Sequence, residues 1–318
     1  MTSTPAIDVV VPSYGRPEAL ERCLLALREQ TVAPARVVVV VRDDDDETRA
    51  LLDRSPHPVE VTAVSDEGIT AALRAGVALT DAEVVAFTDD DARPRPDWVA
   101  RLASWFARPD VDAVGGRDVQ VDRPADGTKV VGRLHGWGRM TGEHHVGCGA
   151  PRDVDILKGV NLAVRCDALG LPRAGLLEPA GNDPHNELVT LAWARRHGGR
   201  IVYDPAVLVD HDLAPRYGDS RLGGPVDEPT VVYATAANRV IAACAVDRGR
   251  LPAQLAYGVL VGTRESPGLV RAAVGQLRRE PMVVERLGPS LRGQLAGGWR
   301  VITRRGRPVV TCTELRAK

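Results

Sequence analysis

No stretch of the chain approaches the ~20 consecutive apolar residues that a membrane-spanning helix needs. The N-terminus shows no charged segment leading into an apolar run, so no secretory signal is read. The five cysteines (Cys23, Cys148, Cys166, Cys244, Cys312) are scattered, odd in number and never spaced as CxxC. Reduced thiols in a cytosolic protein are the expectation. The first strand–helix turn has no GxGxxG, and no GxxxxGK[ST] occurs anywhere. Those absences count against a dinucleotide dehydrogenase and a P-loop NTPase. Lysine is nearly missing, with Lys129, Lys158 and Lys318 among 41 basic residues. Genomic base composition accounts for that Arg bias as readily as function does. Internal repeats and low-complexity tracts are also missing.

What remains is a 318-residue chain with 44% hydrophobic and 26% charged residues, an ordinary globular composition able to bury a sizeable core. Its formal net charge of −1 argues against a general polyanion binder. That total hides an asymmetry. Residues 264–318 carry 12 basic and 4 acidic side chains, a charge of +8, which leaves −9 on the rest.

The first third alternates strand and helix. Apolar runs at Ile7–Val11, Val37–Val41, Val59–Val64, Val84–Phe87 and Val111–Val114 read as strands. Helical spacing predicts helices at Pro17–Gln30, Asp45–Leu52, Gly68–Leu79 and Asp97–Phe106. Continuous rather than alternating apolar strands indicate a parallel sheet covered on both faces. One open α/β sheet is expected over about the first 115 residues. Residues 117–151, rich in Gly, Asp, Arg and His, read as a long irregular segment of the functional kind. A helix is predicted at Glu187–His197, two short strands at Ile201–Tyr203 and Val207–Val209, and helices from Val231 onward.

Ligands of open parallel sheets bind at the carboxyl ends of the strands. The residues that follow the first four strands are Pro12-Ser13-Tyr14-Gly15-Arg16, Arg42-Asp43-Asp44-Asp45-Asp46, Ser65-Asp66-Glu67-Gly68 and Thr88-Asp89-Asp90-Asp91. A single polar loop means little, but four on one rim indicate a crevice lined with carboxylates. Such a crevice would repel a phosphate unless a hard divalent cation bridged the two. Asp89 and Asp91 fall on one side of an extended chain. Taken alone, Glu187 is a helix N-terminal acid and His211 a packed histidine. Together with the triplet they supply a candidate base and a nitrogen ligand, and mixed Asp/His ligation suits Mn²⁺ or Mg²⁺. His144-His145 with Cys148 lacks a second ligand pair for zinc. A lone Trp137 is more often packing than a sugar platform.

These residues resemble a glycosyltransferase of the GT-A fold, family 2 type. Val9 to Arg16 resembles that family's first-strand motif, Asp89-Asp90-Asp91 its DXD motif, and Lys158 to Arg165 its G-x-N-x-A-x-R segment. Glu187 to His211 resembles the block that runs from an acidic pair to P-x-x-x-x-x-H. The match covers about residues 7 to 212. Departures are Asn186-Glu187 at the acidic pair, Arg42 where an acid is usual, and Leu73-Arg74 at an Arg-Asn pair.

The resemblance implies a nucleotide-diphospho-sugar transferase fold, with a mostly parallel sheet flanked by helices and a C-terminal helical extension. The implied catalytic domain is 1–228, with a nucleotide-binding half at 1–116 and an acceptor half at 117–228. A basic extension would follow at 229–318. It also implies inverting, metal-dependent transfer from a UDP-, GDP- or dTDP-sugar to a hydroxyl acceptor, lipid-linked or a glycan, with no nucleic-acid partner. In this scheme Glu187 is the base, with Asp183 as its rival, and Asp89, Asp91 and His211 hold the metal. Pro12, Ser13, Tyr14, Arg16, Asp43, Asp44, Asp66, Arg74, Asp89 and Asp90 face the donor nucleotide. Lys158, Gly159 and Asn161 lie by the donor sugar and acceptor. Rival expectations are a nucleotidyltransferase of similar α/β fold and a non-catalytic nucleotide-sugar-binding protein. The basic tail is expected to touch a membrane surface or to form an ordinary helical subdomain, and the location is expected to be the cytoplasm, at the inner face of the cell membrane.

Overall fold

The computed structural model describes residues 5–120, 124–127, 130–180, 183–212, 228–245 and 247–317. The first half builds β1 (Ile7–Pro12), α1 (Pro17–Arg28), β2 (Arg36–Arg42), α2 (Asp46–Leu52), β3 (Glu60–Val64), α3 (Ile69–Ala78) and β4 (Val84–Phe87). The short β5 (Ala92–Pro94), α4 (Trp98–Phe106) and β6 (Val111–Val119) complete it. Proline opens α1, where its missing N–H costs nothing. The apolar face Leu20, Cys23, Leu24 and Leu27 of that helix is buried, as its spacing requires.

The sheet departs from a purely sequential order. Two-residue strands β7 (Arg133–Leu134), β8 (Met140–Thr141) and β9 (Arg152–Asp153) precede β10 (Leu162–Arg165), β11 (Gly170–Pro172), α5 (Asn186–Ala194) and β12 (Arg200–His211). The strands run in the order β3-β2-β1-β4-β10-β6-β12-β5, with β9 also on β12. The β1–β4 group is parallel, and β6 and β12 are parallel to each other. Between these two groups β10 lies antiparallel to both neighbours. The sheet is therefore mostly parallel and draws on residues beyond 150, not only on the first 115. Its two faces carry separate cores, one centred on Leu20, Leu24, Trp98 and Leu102, the other on Val77, Leu157, Leu169 and Leu191.

Two strands are longer than their sequences suggest. Gly115-Gly116 reads as a stop, yet β6 continues through it. A Cβ at Gly116 would lie 1.8 Å from the Val207 carbonyl oxygen, and one at Gly115 would lie 2.5 Å from that of Asn161. Only glycine lets neighbouring backbone come this close. The expected pair Ile201–Tyr203 and Val207–Val209 is a single strand, with a register shift between Asp204 and Leu208. Pro205 has no N–H for the ladder, and the Asp204 carboxylate accepts from Ala206 N at 2.9 Å, so a bulge absorbs the proline. Because of that bulge one strand spans the sheet and ends on His211.

The C-terminal part is helical, as expected, through α6 (Glu228–Ala243), α7 (Leu251–Leu260), α8 (Leu269–Leu277), α9 (Pro281–Glu285) and α10 (Leu287–Thr303). It then returns to the N-terminal half. β13 (Val309–Thr311) pairs with β11, and α11 (Cys312–Arg316) packs on α3, where Arg316 Nη2 donates to Thr80 Oγ1 and the Ala82 carbonyl. A disulfide joins Cys166 to Cys312, which corrects the expectation of wholly reduced thiols and removes the thiol argument for a reducing compartment. Their 146-residue separation gave no spacing signal. Among the described residues, no helix is long and apolar enough to cross a membrane.

Candidate active site

Four loops meet at the carboxyl edge of the parallel strands. After β1, Ser13 Oγ donates to Asp90 Oδ2 at 2.8 Å. Arg16 pairs with Asp90 Oδ1 at 2.7 Å and with Asp91 Oδ2 at 2.8 Å. Pro12 closes β1 just before these residues. Gly15, at φ +61°, directs its N–H onto Asp45 Oδ2 at 2.7 Å, and the other oxygen of Asp45 caps α2 through Thr48 N. Sequence reading put Asp45 on the rim and began a helix at it but gave it no binding role, although an Asp directly before Asp-Glu-Thr is a helix N-cap signal. Tyr14 donates to Asp44 Oδ2 at 3.4 Å and lies under the Arg42 guanidinium. Asp43 is fixed through Arg49, which pairs with its carboxylate at 3.6 Å.

The triplet after β4 divides by role. Asp90 is fully buried and faces Ser13 and Arg16; burial, opposed by the Arg16 charge, lifts its pKa to about 7. Asp89 is also raised, by burial first and then by the charge of Asp91. Asp89, Asp91 and His211 each offer a ligand atom, and these atoms lie within 4.8 Å of one another. Antiparallel pairing of Ala92 with His211 brings the two chain segments together. Two carboxylate oxygens and an imidazole nitrogen form a donor set that fits a hard divalent cation.

Behind this cluster lies Asp118, which the sequence reading missed because it ended β6 at Val114. Its fully buried carboxylate accepts from Lys158 Nζ at 2.6 Å and from Gln120 Nε2 at 2.9 Å, and His211 Nδ1 lies 3.6 Å away. Burial opposes its ionisation, but the adjacent His211 ring and the hydrogen bond and charge of Lys158 hold its pKa well below the usual carboxylate range. On the other side, His211 Nε2 is 3.3 Å from Asp91 Oδ1. Burial pushes the imidazole pKa down, yet the neighbouring Asp118 and Asp91 carboxylates outweigh it and raise the value to about 9. The charged pair Arg117-Asp118, one step past Gly115-Gly116 and followed by Val119, is the signal that could have found Asp118.

The remaining candidates separate by what their side chains already hold. Glu187 occupies the first turn of α5, where burial raises its pKa against the charge of Lys158. Asp183 is 6% exposed and its Oδ2 accepts both Thr70 N at 3.0 Å and Thr70 Oγ1 at 2.7 Å, so its carboxylate caps α3. Gly159 has open space where a Cβ would stand. Asn161 is fully buried and serves the fold, accepting from Trp98 Nε1 and donating to the carbonyls of Val207 and Arg117. Arg74 donates to the Pro172 carbonyl at 2.8 Å instead of turning to the triplet, and the exposed Asp66 is a charge neighbour of it. His144, considered for zinc with Cys148, is buried and bonded to the Ile156 carbonyl at 2.9 Å. Trp137 sits in the β7–β8 hairpin, edge-on to Tyr257 with ring centroids 5.4 Å apart.

Residues 8–145 match the model of a family described as glycosyl transferase family 2. "Glycosyltransferase AglE" of Haloferax volcanii is 28% identical over 176 residues, 53% of this chain and 56% of that protein. "Glucosyl-dolichyl phosphate glucuronosyltransferase" of the same organism is 33% identical over 116 residues, 35% of this chain and 37% of that one. The chain thus spans about half or less of the length of these curated relatives. Among solved structures, mannosyltransferase PcManGT from Pyrobaculum calidifontis, in complex with GDP-Man and Mn²⁺, aligns with TM-score 0.54 at 20% identity, covering 95% of this chain and 88% of that one. TarS 1–349 of S. aureus, in complex with UDP-GlcNAc, aligns with TM-score 0.58 at 14% identity, over 91% and 81% of the two chains. At these identities the likeness is one of fold. The mostly parallel sheet flanked by helices, with C-terminal helices added, is the GT-A glycosyltransferase fold.

Proposed function

We propose that this chain, a GT-A-fold glycosyltransferase of the family 2 type, moves a sugar from a nucleotide diphosphate donor to a hydroxyl acceptor with inversion. The observation that carries the reading is the convergence of Asp89, Asp91 and His211 within 4.8 Å at the strand ends of this fold. In this reading those three residues hold Mn²⁺ or Mg²⁺. When bound, the cation would offset charge on the departing diphosphate. Arg16 supplies a second positive group to the same pocket through its pairs with Asp90 and Asp91. Asp118, itself paired with Lys158, stands behind the His211 ring.

Glu187 takes the acceptor hydroxyl's proton as that oxygen attacks the anomeric carbon from the face opposite the leaving diphosphate, and a single displacement inverts the centre. A positioned general base contributes typically ~10²–10⁴ in rate. The raised pKa of Glu187 suits it to that exchange. Asp183, the rival base, is already occupied by Thr70.

Tyr14, Asp43, Asp44 and Asp66 are proposed to face the nucleotide, and Lys158 and Gly159 the donor sugar. Residues 1–228 are assigned the catalysis and 229–318 an extension on the acceptor side. A lipid-linked acceptor is proposed with a membrane contact through that extension. It is supported by the dolichyl phosphate in the printed name of one relative and by the exposed Leu295, Trp299 and Ile302 of α10.

The test is a thermal-shift panel of UDP-, GDP- and dTDP-sugars with and without Mn²⁺. Stabilisation that needs both the metal and one base is expected. No metal-dependent shift with any donor overturns the reading.

A further inference from the structure

A cavity of about 890 Å³ opens at the far end of α5, away from Glu187. Trp193 and Arg196 line it from α5 and the turn after it, Arg248 from the segment before α7, and Arg304 and Arg307 from the chain after α10. A second cavity, of about 400 Å³, adjoins it, shares Arg304, Arg307 and Pro308, and adds Arg173, Arg300 and Arg305. Arg196 lies nine positions beyond Glu187, roughly 13 Å along a helix axis, so this region is separate from the catalytic crevice.

The charge here is unbalanced. Among the described residues, Asp247 is the one acid lining the two cavities, and it pairs with Arg250, which lines neither. Arg307 and Arg173 share Glu314, and Arg300 takes Glu178. Arg196, Arg248, Arg304 and Arg305 have no carboxylate within ion-pair distance among the described residues. Arg196 and Arg307 instead stack on Trp193, with guanidinium carbons 5.8 and 5.6 Å from its ring. Arg304 donates to the Ala245 carbonyl, and its Nε and Nη1 are buried without a hydrogen-bond partner. Four guanidinium groups that converge without counter-ions repel one another, and a bound anion relieves that repulsion. Guanidinium forks match the geometry of phosphate oxygens. The aromatic ring keeps two of these forks oriented.

We propose that this pair of arginine-lined cavities is a second binding site, specific for phosphate groups and independent of the nucleotide crevice. Two sources present that chemistry, a soluble phosphate-bearing ligand and the headgroup of an anionic phospholipid. The second is geometrically open because α10, which supplies Arg300 and leads directly into Arg304, also exposes Leu295, Trp299 and Ile302. Neither source requires the transferase reading to be correct.

The full chain is titrated with inorganic pyrophosphate, with chloride at equal ionic strength as reference, and separately with phosphatidylcholine vesicles with and without phosphatidylglycerol. Thermal shift and co-sedimentation are the readouts. The wild type is expected to respond to pyrophosphate beyond chloride, to phosphatidylglycerol beyond phosphatidylcholine, or to both. Arg196→Gln and Arg248→Gln should each weaken the response by about tenfold, as expected for one charge-assisted hydrogen bond. Arg22→Gln on α1 should leave it unchanged, and Mn²⁺-dependent donor binding should be intact in all three. Pyrophosphate alone identifies a soluble ligand, and vesicles alone identify a headgroup. No response to either probe overturns the proposal, as does an equal loss in Arg22→Gln. Pyrophosphate stabilisation that needs Mn²⁺ and is unaffected by Arg196→Gln and Arg248→Gln also overturns it, by placing the anion in the crevice.

Discussion

Asp183 caps helix α3 from 113 residues away: its Oδ2 accepts the amide of Thr70 at 3.0 Å and the Thr70 hydroxyl at 2.7 Å. The helix needs this help. Gly68 at its N-cap has no side chain to satisfy the first amides, and it leaves the space the carboxylate occupies; a Cβ there would lie 2.7 Å from Asp183 Oδ2. A carboxylate so engaged is poorly placed to take a proton from an acceptor.

The two acids should therefore fail in different ways. Asp183→Ala is expected to cost stability by about 1–2 kcal/mol, as loss of an N-cap does, and to leave donor binding in place. Glu187→Gln is expected to keep the melting temperature and donor binding while turnover falls by roughly 10²-fold or more. Melting curves beside transfer rates separate the cases. Near-normal transfer by Glu187→Gln removes it as the base.

With Glu187 as the proposed base, its pKa sets an acid limit on activity. Burial raises it above its ordinary value, and the base must be ionised to work. Activity is therefore present above the raised pKa and lost as pH falls through it. A profile of kcat/KM against pH should show its acid limb above the usual carboxylate range. A limb at about 4.3, the value of an unperturbed glutamate, would contradict the assignment.

In the proposed metal site, Asp118 would act through His211. It lies 3.6 Å from His211 Nδ1, while Nε2 of that ring faces Asp91. Groups that orient a metal-bound histidine typically contribute 10–100-fold in metal affinity. Asp118→Asn should weaken Mn²⁺ binding by about that factor, measured by calorimetry with the donor nucleotide present. An effect no larger than that of the control Arg22→Gln would leave Asp118 with only a packing role.

The polar rim was legible because it follows continuous apolar strands, whose ends are easy to read. Asp89, Asp91 and His211 converge as their positions in the pattern suggested. Asp118 was not legible, because Gly115-Gly116 looks like a strand end and is instead a place where backbones nearly touch. Arg74 and Asn161 carried motif positions, but their hydrogen bonds go to Pro172, Trp98 and Val207. A motif marks a chain segment, and the packing decides where each side chain points. The pairing of β13 with β11 and the bond from Cys166 to Cys312 depend on contacts far apart in sequence, which no local pattern encodes.

His144 gives a stability prediction independent of catalysis. It is 2% exposed and neutral, and burial lowers its pKa from 6.5 to about 4. Between those values the unfolded chain binds a proton that the folded one does not. Stability therefore falls as pH drops from 6.5 to 4, by about 3 kcal/mol for this group in full, and levels off below. His144→Gln should flatten that part of the curve of unfolding free energy against pH, and an unchanged slope in the variant would show that other groups govern it.

The disulfide offers the clearest test of how the C-terminus is held. Cys166 follows β10, and Cys312 opens α11 behind β13. Reduction leaves the β11–β13 pairing and the Arg316 contacts to Thr80 and Ala82 in place, so the fold should persist with lower stability. A cross-link over so long a loop typically contributes about 2–4 kcal/mol. Cys166→Ser should match that loss, and dithiothreitol should then have no further effect on the variant's melting temperature. The Asp89, Asp91 and His211 cluster lies on other strand ends, so Mn²⁺-dependent donor binding should survive reduction. Loss of donor binding along with the disulfide would instead show that the C-terminal segment holds the crevice in shape.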